Sequence, residues 1–147
     1  MKKEAGFTLL ELIVVISLIA LLLGIALPRF RGMQDQGKVS KAKAELGTLR
    51  AAVESYYLHN DNTYPAVLTD LTTATPSIIT SIPDDPFATA GTDYVYVLGG
   101  TNDRFFIIYS IGPDGSGSAL ISGTNTVTET NGSSCIYVSN MGTDTNP

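Results

Sequence analysis

The sequence is poor in the residues that most catalytic and metal sites use. Its 147 residues include one histidine (His59), one cysteine (Cys135) and no tryptophan. A single histidine gives little material for a multi-histidine metal site or a histidine-assisted nucleophile. The glycine-rich stretches lack the lysine and the spacing of a phosphate-binding loop. These absences predict that the protein is not an enzyme.

The few reactive side chains are expected to have structural roles. His59 lies beside turn residues at a predicted helix end, where we expect a solvated capping residue. Cys135 cannot form an intrachain disulfide bond, and it begins a strand-like sequence, so we expect it to be buried, with pairing between two chains as the alternative. The adjacent acids Asp84 and Asp85 precede Pro86 and are expected in a solvated loop rather than in acid–base chemistry.

Basic residues are almost absent after residue 54. Residues 55–147 contain only Arg104 against nine acids, whereas residues 28–54 contain six basic and three acidic residues. The acidic part argues against a nucleic-acid partner, because binding phosphates requires clustered Lys and Arg. Its charge keeps such heads apart in solution. A sharper hypothesis is that basic segments face the acidic heads of neighbours in a polymer, through Lys38, Lys41 and Lys43.

A long apolar run carries a single charge. Between Phe7 and Leu27 the only charged residue is Glu11. About 20 apolar residues are enough to cross a bilayer as a helix. A carboxylate there costs about 2–3 kcal/mol when it is deep in lipid and less near the surface. Glu11 is therefore expected to have a function and a partner.

The residues around this run narrow its interpretation. An ordinary secretory signal has a shorter apolar core that ends in a small-residue cleavage site, and a simple anchor leaves Glu11 unexplained. Four features occur together here: a short leader, the Gly6–Phe7 junction, Glu11 and an uninterrupted run ending at Pro28. Together they resemble the class III signal of prepilins, which are the subunits of type IV pili and of type II secretion pseudopili.

The resemblance implies processing and topology. In that family a membrane peptidase cuts after the glycine and N-methylates the new terminal phenylalanine, so Gly6 and Phe7 are the expected processing residues. The family also implies a single-pass helix in the bacterial inner membrane, with the head outside the cytoplasm. The subunit then enters a periplasmic or cell-surface filament.

The expected assembly residues are Phe7, Glu11 and Pro28. Cleavage leaves a positive amine at the start of a helix, where the helix dipole disfavours a cation. Glu11 lies one turn later and can neutralise its own terminus or a neighbour's. An unpaired charge in an apolar core is costly, so pairing of Glu11 with the Phe7 amine of the adjacent subunit would set the axial register, as the family implies for the matching glutamate. Pro28 is expected to kink or loosen the helix and let it adjust during assembly.

Four segments are predicted along the chain: a leader at 1–6, a transmembrane and assembly helix at 7–28, an amphipathic helix at 29–60, and a β-rich head with a polar C-terminal tail at 61–147. Weak helix formers around Pro28 predict a pliable zone at 24–37. An apolar stripe predicts a buried helix face over 38–59. The stripe consists of Ala42, Leu46, Leu49, Val53 and Tyr56.

The head is predicted to contain a β-hairpin. Residues 93–98 and 104–110 are rich in aromatic and β-branched residues and flank a Gly-rich turn. Weaker strands are predicted at 119–122 and 134–139, and a helical turn at 68–71. A loop is predicted at 72–83, and loop or disordered stretches at 123–134 and 140–147. The fold class is therefore α+β, with a long N-terminal helix packed on a small antiparallel sheet, as in pilins.

The head also resembles the major pseudopilin of type II secretion. The matching motifs are Tyr64-Pro65, Asp85-Pro86-Phe87, Tyr94-Val95-Tyr96 and the SIGPDG sequence at 110–115. The chain departs from the family at Phe87-Ala88, where Trp-Gly is usual, and it lacks a second acidic segment after Gly117. A type IV pilin for adhesion, motility or surface contact is the alternative.

The resemblance implies a calcium site in the last of these motifs. Ser110, Asp114 and nearby carbonyls would supply some of the six to eight oxygens that calcium takes. The alternative is a tight turn in which proline and glycine supply the backbone angles. Calcium is therefore a possible ligand, and no cofactor is expected to be required.

The partners follow from the same family. The resemblance implies a homopolymer, a prepilin peptidase, an inner-membrane assembly platform with its motor, minor pilins or pseudopilins, and membrane lipid before assembly. The expected function is structural, most like that of a major pseudopilin whose short filament helps to export folded proteins.

Overall fold

The computed structural model describes residues 6–122, 126–130 and 135–142, with the backbone alone at residues 27–31. Its elements are α1 (Leu9–His59), α2 (Asp70–Thr73), β1 (Val95–Gly99), a 3-10 turn (Thr101–Asp103), β2 (Phe105–Ser110), β3 (Ser118–Ile121), β4 (Val127–Thr130) and β5 (Ile136–Ser139). The α+β prediction is confirmed. The chain divides into two compact units, Met1–Gln36 and Gly37–Pro147.

The first unit contains the apolar segment. Residues Leu9–Ala26 form a helix that is long and apolar enough to cross a membrane, and none of them is buried. The hydroxyl of Ser17 donates to the Ile13 carbonyl oxygen of the same helix at 2.7 Å. A helix that satisfies its polar groups internally in this way is compatible with lipid. Its apolar side chains are left without cover inside the unit.

The helical backbone runs without interruption through Pro28, so the helix predicted over 38–59 is the C-terminal part of α1. The predicted end at His59 is confirmed. Nδ1 of this exposed histidine lies 2.7 Å from the Ser55 carbonyl oxygen, in the expected solvated position at the end of the helix. The pliability of 24–37 stays a prediction.

The second unit is built on the apolar stripe of α1. Four of the five predicted stripe residues are buried and Tyr56 is partly buried. The stripe belongs to one hydrophobic cluster with Phe106 and Ile108 of β2, Ile136 of β5 and Leu71 of α2. The sequence periodicity thus located the helical side of the core correctly.

A three-stranded antiparallel sheet with the order β1-β2-β5 forms the other side of this core. Val95 pairs with Tyr109 in the predicted hairpin, and Ile107 pairs with Ser139 across β2 and β5. The central strand β2 is buried on both faces. Alternate residues of β2 join the α1 cluster or a second cluster with Ala119, Cys135 and Tyr137. This double burial explains why β2 reads as an unbroken apolar run.

One strand was missed in the sequence. Residues predicted as part of a loop or disordered stretch at 123–134 include β4, which pairs with β3 in the register Ser118 to Thr130 and Ile121 to Val127. Three of the four β4 side chains are exposed, so the strand lacks the apolar alternation that marks a half-buried strand. Residues 123–125, 131–134 and 143–147 lie outside the described residues.

The helical turn predicted at 68–71 occurs slightly later, as α2. The Asp70 carboxylate fixes its position by accepting hydrogen bonds from the backbone N–H groups of Ala66 and Val67, at 2.9 and 3.1 Å. The backbone N–H groups of Asp70, Leu71 and Thr72 donate to the carbonyl oxygens three residues earlier, so the helical turn starts here without a side-chain cap. The loop predicted over 72–83 therefore begins only after Thr73.

We expect Leu46→Ala to lower the free energy of unfolding by about 2–5 kcal/mol, because it leaves a cavity in the core between α1 and the sheet. Leu58→Ala is the matched control: it lies on the same helix, is 74% exposed and should change stability by no more than about 0.5 kcal/mol. Denaturant unfolding of the full-length protein in detergent micelles measures both. Equal losses would contradict the assignment of the stripe to the core.

Candidate functional site

The residues expected to be processed lie just before α1. Gly6 and Phe7 precede the first helical residue, and Phe7 is 85% exposed. An added side-chain carbon at Gly6 would meet no other atom within 4 Å. Glu11 lies in the first turn of the helix. The peptide bond between Gly6 and Phe7 therefore precedes the regular structure of α1.

Thr8 is a residue of this region that the sequence analysis missed. Its hydroxyl oxygen accepts a hydrogen bond from the backbone N–H of Glu11 at 3.2 Å. The sequence Thr-x-x-Glu before an apolar run is the signature of a capping box and could have identified this cap. Glu11 thus also has a local role, because a negative charge in the first helical turn interacts favourably with the positive end of the helix dipole.

Asp85 corrects the expectation of a solvated acidic pair. It is 4% exposed, whereas Asp84 is exposed and accepts a hydrogen bond from the Gly91 N–H at 2.9 Å. Oδ1 of Asp85 accepts from the Ser110 hydroxyl at 2.8 Å and from the Phe87 N–H at 3.0 Å. Only one of the two acids is therefore solvated, because the other lies beside the end of β2.

The other oxygen of Asp85 reaches the loop that follows β2. Oδ2 accepts a hydrogen bond from the Ile111 N–H at 3.0 Å. The Ser110 oxygen in turn accepts from the Gly112 N–H at 3.2 Å. The buried carboxylate therefore joins the segment around residue 85 to the first residues of the 110–117 loop.

The 110–117 loop has the geometry of a tight turn. Gly112 and Gly115 have φ values of 73° and 69°, a region that glycine adopts without steric cost. The Gly115 N–H donates to the Gly112 carbonyl oxygen, and the Gly117 N–H donates to that of Ile111, both at 2.9 Å. Exposed Asp114 accepts from the Ser116 N–H at 3.1 Å.

The two residues predicted to bind calcium therefore occupy different environments. Ser110 is fully buried and directs its hydroxyl proton to Asp85, whereas Asp114 is exposed at the tip of the turn. Among the residues that the structure describes, no group of three His, Cys, Asp or Glu side chains is placed to hold a metal ion. The calcium role of Ser110 and Asp114 stays a prediction.

Cys135 packs against the same loop. An added side-chain carbon on Gly117 would lie 3.0 Å from the Cys135 Cα and 2.7 Å from the Ile111 carbonyl oxygen, so only glycine fits there. The expected burial of the cysteine is confirmed. Burial, and then the charges of Glu129, Asp114 and Asp85, raise the pKa of its thiol to about 12. The thiol is thus protonated at neutral pH and poorly reactive.

Basic residues of α1 contact groups inside their own molecule. Lys41 Nζ lies 3.7 Å from Glu45 Oε1, and the Tyr94 hydroxyl donates to Glu45 Oε2 at 2.7 Å. Lys38 Nζ lies 5.8 Å from the centre of the Phe87 ring. These contacts link α1 to the 85–94 segment of the head. Pairing of this basic segment with the heads of neighbouring molecules stays a prediction.

Burial raises the pKa of two tyrosines, Tyr96 on β1 and Tyr94 just before it. The pKa of Tyr94 is raised well above its usual value by burial first, and then by its hydrogen bond to Glu45. Burial is also the main cause of the raised pKa of Tyr96, whose hydroxyl donates to the Pro65 carbonyl oxygen at 2.9 Å. Both phenols are therefore neutral throughout the physiological pH range and serve as hydrogen-bond donors.

Comparison with known families gives two adjoining matches. Residues 1–27 match the prokaryotic N-terminal methylation motif, and residues 29–124 match the family model for type II secretion system protein G. The second match covers more than half of the chain. The chain belongs to the type II secretion system protein G family. The resemblances to prepilins and to the major pseudopilin are therefore confirmed.

Relatives in the protein G family align over most of the chain. The type II secretion system core protein G of Pseudomonas aeruginosa is 30% identical over 128 residues, which is 78% of this chain and 87% of the relative. That of Escherichia coli (strain K12) is 32% identical over 127 residues, 77% and 84% of the two chains. Fimbrial protein EcpB of Eikenella corrodens is 41% identical over 59 residues, which is 40% of this chain and 37% of that protein. No solved structure gives a significant match.

The family matches include every predicted site residue except one. Gly6, Phe7 and Glu11 lie in the methylation-motif match, and Ser110 and Asp114 lie in the protein G match. Pro28 falls between the two matched ranges. The individual roles of these residues stay predictions.

We expect Tyr94→Phe to lower the free energy of unfolding by about 1–2 kcal/mol near neutral pH, because it removes the hydrogen bond to Glu45. Folding raises the pKa of Tyr94, so this contribution is fully present below about pH 10 and is lost as the pH rises further. Denaturant unfolding of the full-length protein in micelles near neutral pH and above pH 10 measures both effects. The wild type should lose more stability than Tyr94→Phe between the two conditions.

Tyr57→Phe is the matched control for this experiment. Tyr57 is partly buried on α1, and its ring stacks on that of Tyr64 with centroids 4.4 Å apart. Phenylalanine keeps that stacking, so the control should follow the wild type at both pH values. A Tyr94→Phe variant that loses as much stability at high pH as the wild type would contradict the role given to the Tyr94 hydroxyl.

Proposed function

We propose that this protein is the major pseudopilin of a type II secretion system, a structural subunit that polymerises and has no catalytic activity of its own. The observation that carries the proposal is the combination of a helix with no buried residue over Leu9–Ala26 and a head that belongs to the protein G family. The named relatives align over most of their length. Such a subunit needs an inner-membrane platform and motor to assemble it, with minor pseudopilins as further partners.

The exposed apolar segment gives the physical reason for polymerisation. The large apolar side chains of Leu9–Ala26 are 45–75% exposed, including Leu9, Val15 and Leu22. On folded proteins in general, a contiguous exposed apolar surface of this kind marks a site of contact with a membrane or with another protein. The proposed sequence is that lipid covers the segment in the inner membrane first, and neighbouring copies of the same helix cover it in the filament.

The charge in this segment provides a mechanism for ordering the copies. Removal of the leader by a prepilin peptidase creates an amine on Phe7 beside an apolar helix. In the proposed filament that amine is neutralised by Glu11 of the adjacent subunit, because the pair is tolerated in apolar surroundings whereas either charge alone is not. A charge pair of this kind fixes one axial offset between neighbouring helices, and apolar contacts alone do not.

The alternative is a type IV pilin that acts in adhesion, motility or surface contact. The short match to a fimbrial protein supports it. The pseudopilin reading is preferred because the protein G relatives align over about twice as much of the chain.

Deletion of this gene alone in the native host separates the two functions. A pseudopilin predicts that folded proteins accumulate in the periplasm instead of the medium, with twitching and surface filaments unchanged, and that a plasmid copy restores export. Loss of surface filaments with normal export would overturn the pseudopilin proposal and favour the pilin.

We expect Glu11→Ala to be inserted and cleaved normally but to give a filament yield at least about tenfold lower, because breaking a buried ion pair costs about 3–5 kcal/mol. Sheared filaments are quantified by immunoblot from cells that overproduce the subunit. Mass measurement of the membrane-bound protein checks that the first six residues are gone and that Phe7 carries a methyl group.

Ser17→Ala is the control for a polar change in the same apolar helix. The Ser17 hydroxyl already bonds to the Ile13 carbonyl oxygen of its own helix, so this variant should assemble like the wild type. Normal filament yield from Glu11→Ala would rule out the pairing mechanism.

A further inference from the structure

The 110–117 loop is held from inside the head by a carboxylate. Asp85 is 4% exposed and accepts three hydrogen bonds, from the Ser110 hydroxyl and from the backbone N–H groups of Phe87 and Ile111. The Ser110 oxygen extends this network by accepting from the Gly112 N–H. The groups at the start of the loop therefore direct hydrogen-bond donors, rather than oxygen ligands, towards the buried Asp85 carboxylate.

A calcium ion requires oxygen atoms, not N–H or O–H donors, to face it. It takes six to eight oxygens from carboxylates, carbonyls and water. In this loop the carbonyl oxygens of Ile111 and Gly112 accept hydrogen bonds from Gly117 and Gly115. The loop has one carboxylate of its own, that of Asp114, and its Oδ1 accepts the Ser116 N–H. The donor set of this loop does not fit the calcium site that the family resemblance implies.

We propose that in this chain the Asp85 carboxylate, instead of a bound metal ion, holds the 110–117 loop in place. The head then folds and keeps this loop ordered without calcium. A carboxylate that is hydrogen-bonded to several backbone N–H groups is a strong anchor, because each bond is charge-assisted. Two backbone N–H groups and one hydroxyl from separate segments meet at its two oxygens. This inference concerns the folded head alone and does not rest on the proposed role in secretion.

The test uses the full-length protein in detergent micelles, with calcium in millimolar concentration or with excess EGTA. We expect the thermal midpoint of the wild type to differ by less than about 1 °C between the two conditions. Asp85→Asn should lower the midpoint by about 5 °C or more, because the neutral amide turns an N–H group towards donors that need an acceptor. Hydrogen exchange at Ile111 and Gly112 should become faster in that variant, and calcium should not reverse it.

Two further variants make the test specific. Asp84→Asn removes the same charge from the adjacent exposed residue, whose contact with the Gly91 N–H an asparagine oxygen can still make, and should behave as the wild type. Asp114→Asn removes the only carboxylate of the loop and should leave the midpoint and the response to calcium unchanged.

Two results would overturn the proposal. One is a calcium-dependent rise of several degrees in the wild-type midpoint that Asp114→Asn abolishes. The other is an Asp85→Asn protein with wild-type stability and loop protection. If Asp85→Asn yields no folded protein, the calcium responses of the wild type and of Asp114→Asn still decide the question.

Discussion

An apolar surface that the chain does not cover by itself is the constraint on which the rest of this molecule depends. None of the residues Leu9–Ala26 is buried, yet the helix satisfies its own backbone and caps its start with Thr8. Such a segment is stable in lipid or among other apolar helices, and its exposure to water is strongly unfavourable. The physical properties of this segment therefore point to a membrane before assembly and to other subunits after it.

The head solves a separate problem, which is to build a core in one small domain without a disulfide bond. The chain has a single cysteine, and its thiol is buried. Strand β2 allows this because it is buried on both faces, between the α1 stripe on one side and Ala119, Cys135 and Tyr137 on the other. One central strand thus contributes to two apolar clusters. The head is therefore stabilised by packing around β2 and not by an intrachain disulfide bond.

The sequence predicted the parts of this structure whose signals are local. The spacing of Leu46, Leu49 and Val53 predicted the buried face of α1, and β-branched and aromatic residues around a Gly-rich turn predicted the hairpin. Strand β4 was missed because its side chains are mostly exposed, and only its pairing with β3 defines it. Its Thr and Glu residues carry no periodic apolar signal.

Buried polar contacts whose two partners are distant in the chain were missed by the sequence analysis. Asp84 and Asp85 look equivalent in the chain, and only the end of β2, some 25 residues later, makes one of them a buried acceptor. The bond between Tyr94 and Glu45 spans 49 residues. Thr8 is different, because its capping signature is local and was present in the sequence.

These buried contacts also limit how the charges of the molecule can act. Lys41 is engaged by Glu45, and Glu45 accepts the Tyr94 hydroxyl, so part of the basic segment is already tied to its own head. The Lys41–Glu45 ion pair is partly exposed to solvent and contributes little by itself, but Tyr94 next to it is buried and its hydrogen bond to Glu45 is charge-assisted. Charge reversal at Lys41 would then disturb the subunit as well as any contact between subunits. The proposed pairing of Glu11 between subunits avoids this conflict, because that carboxylate lies outside the folded head, in the N-terminal unit.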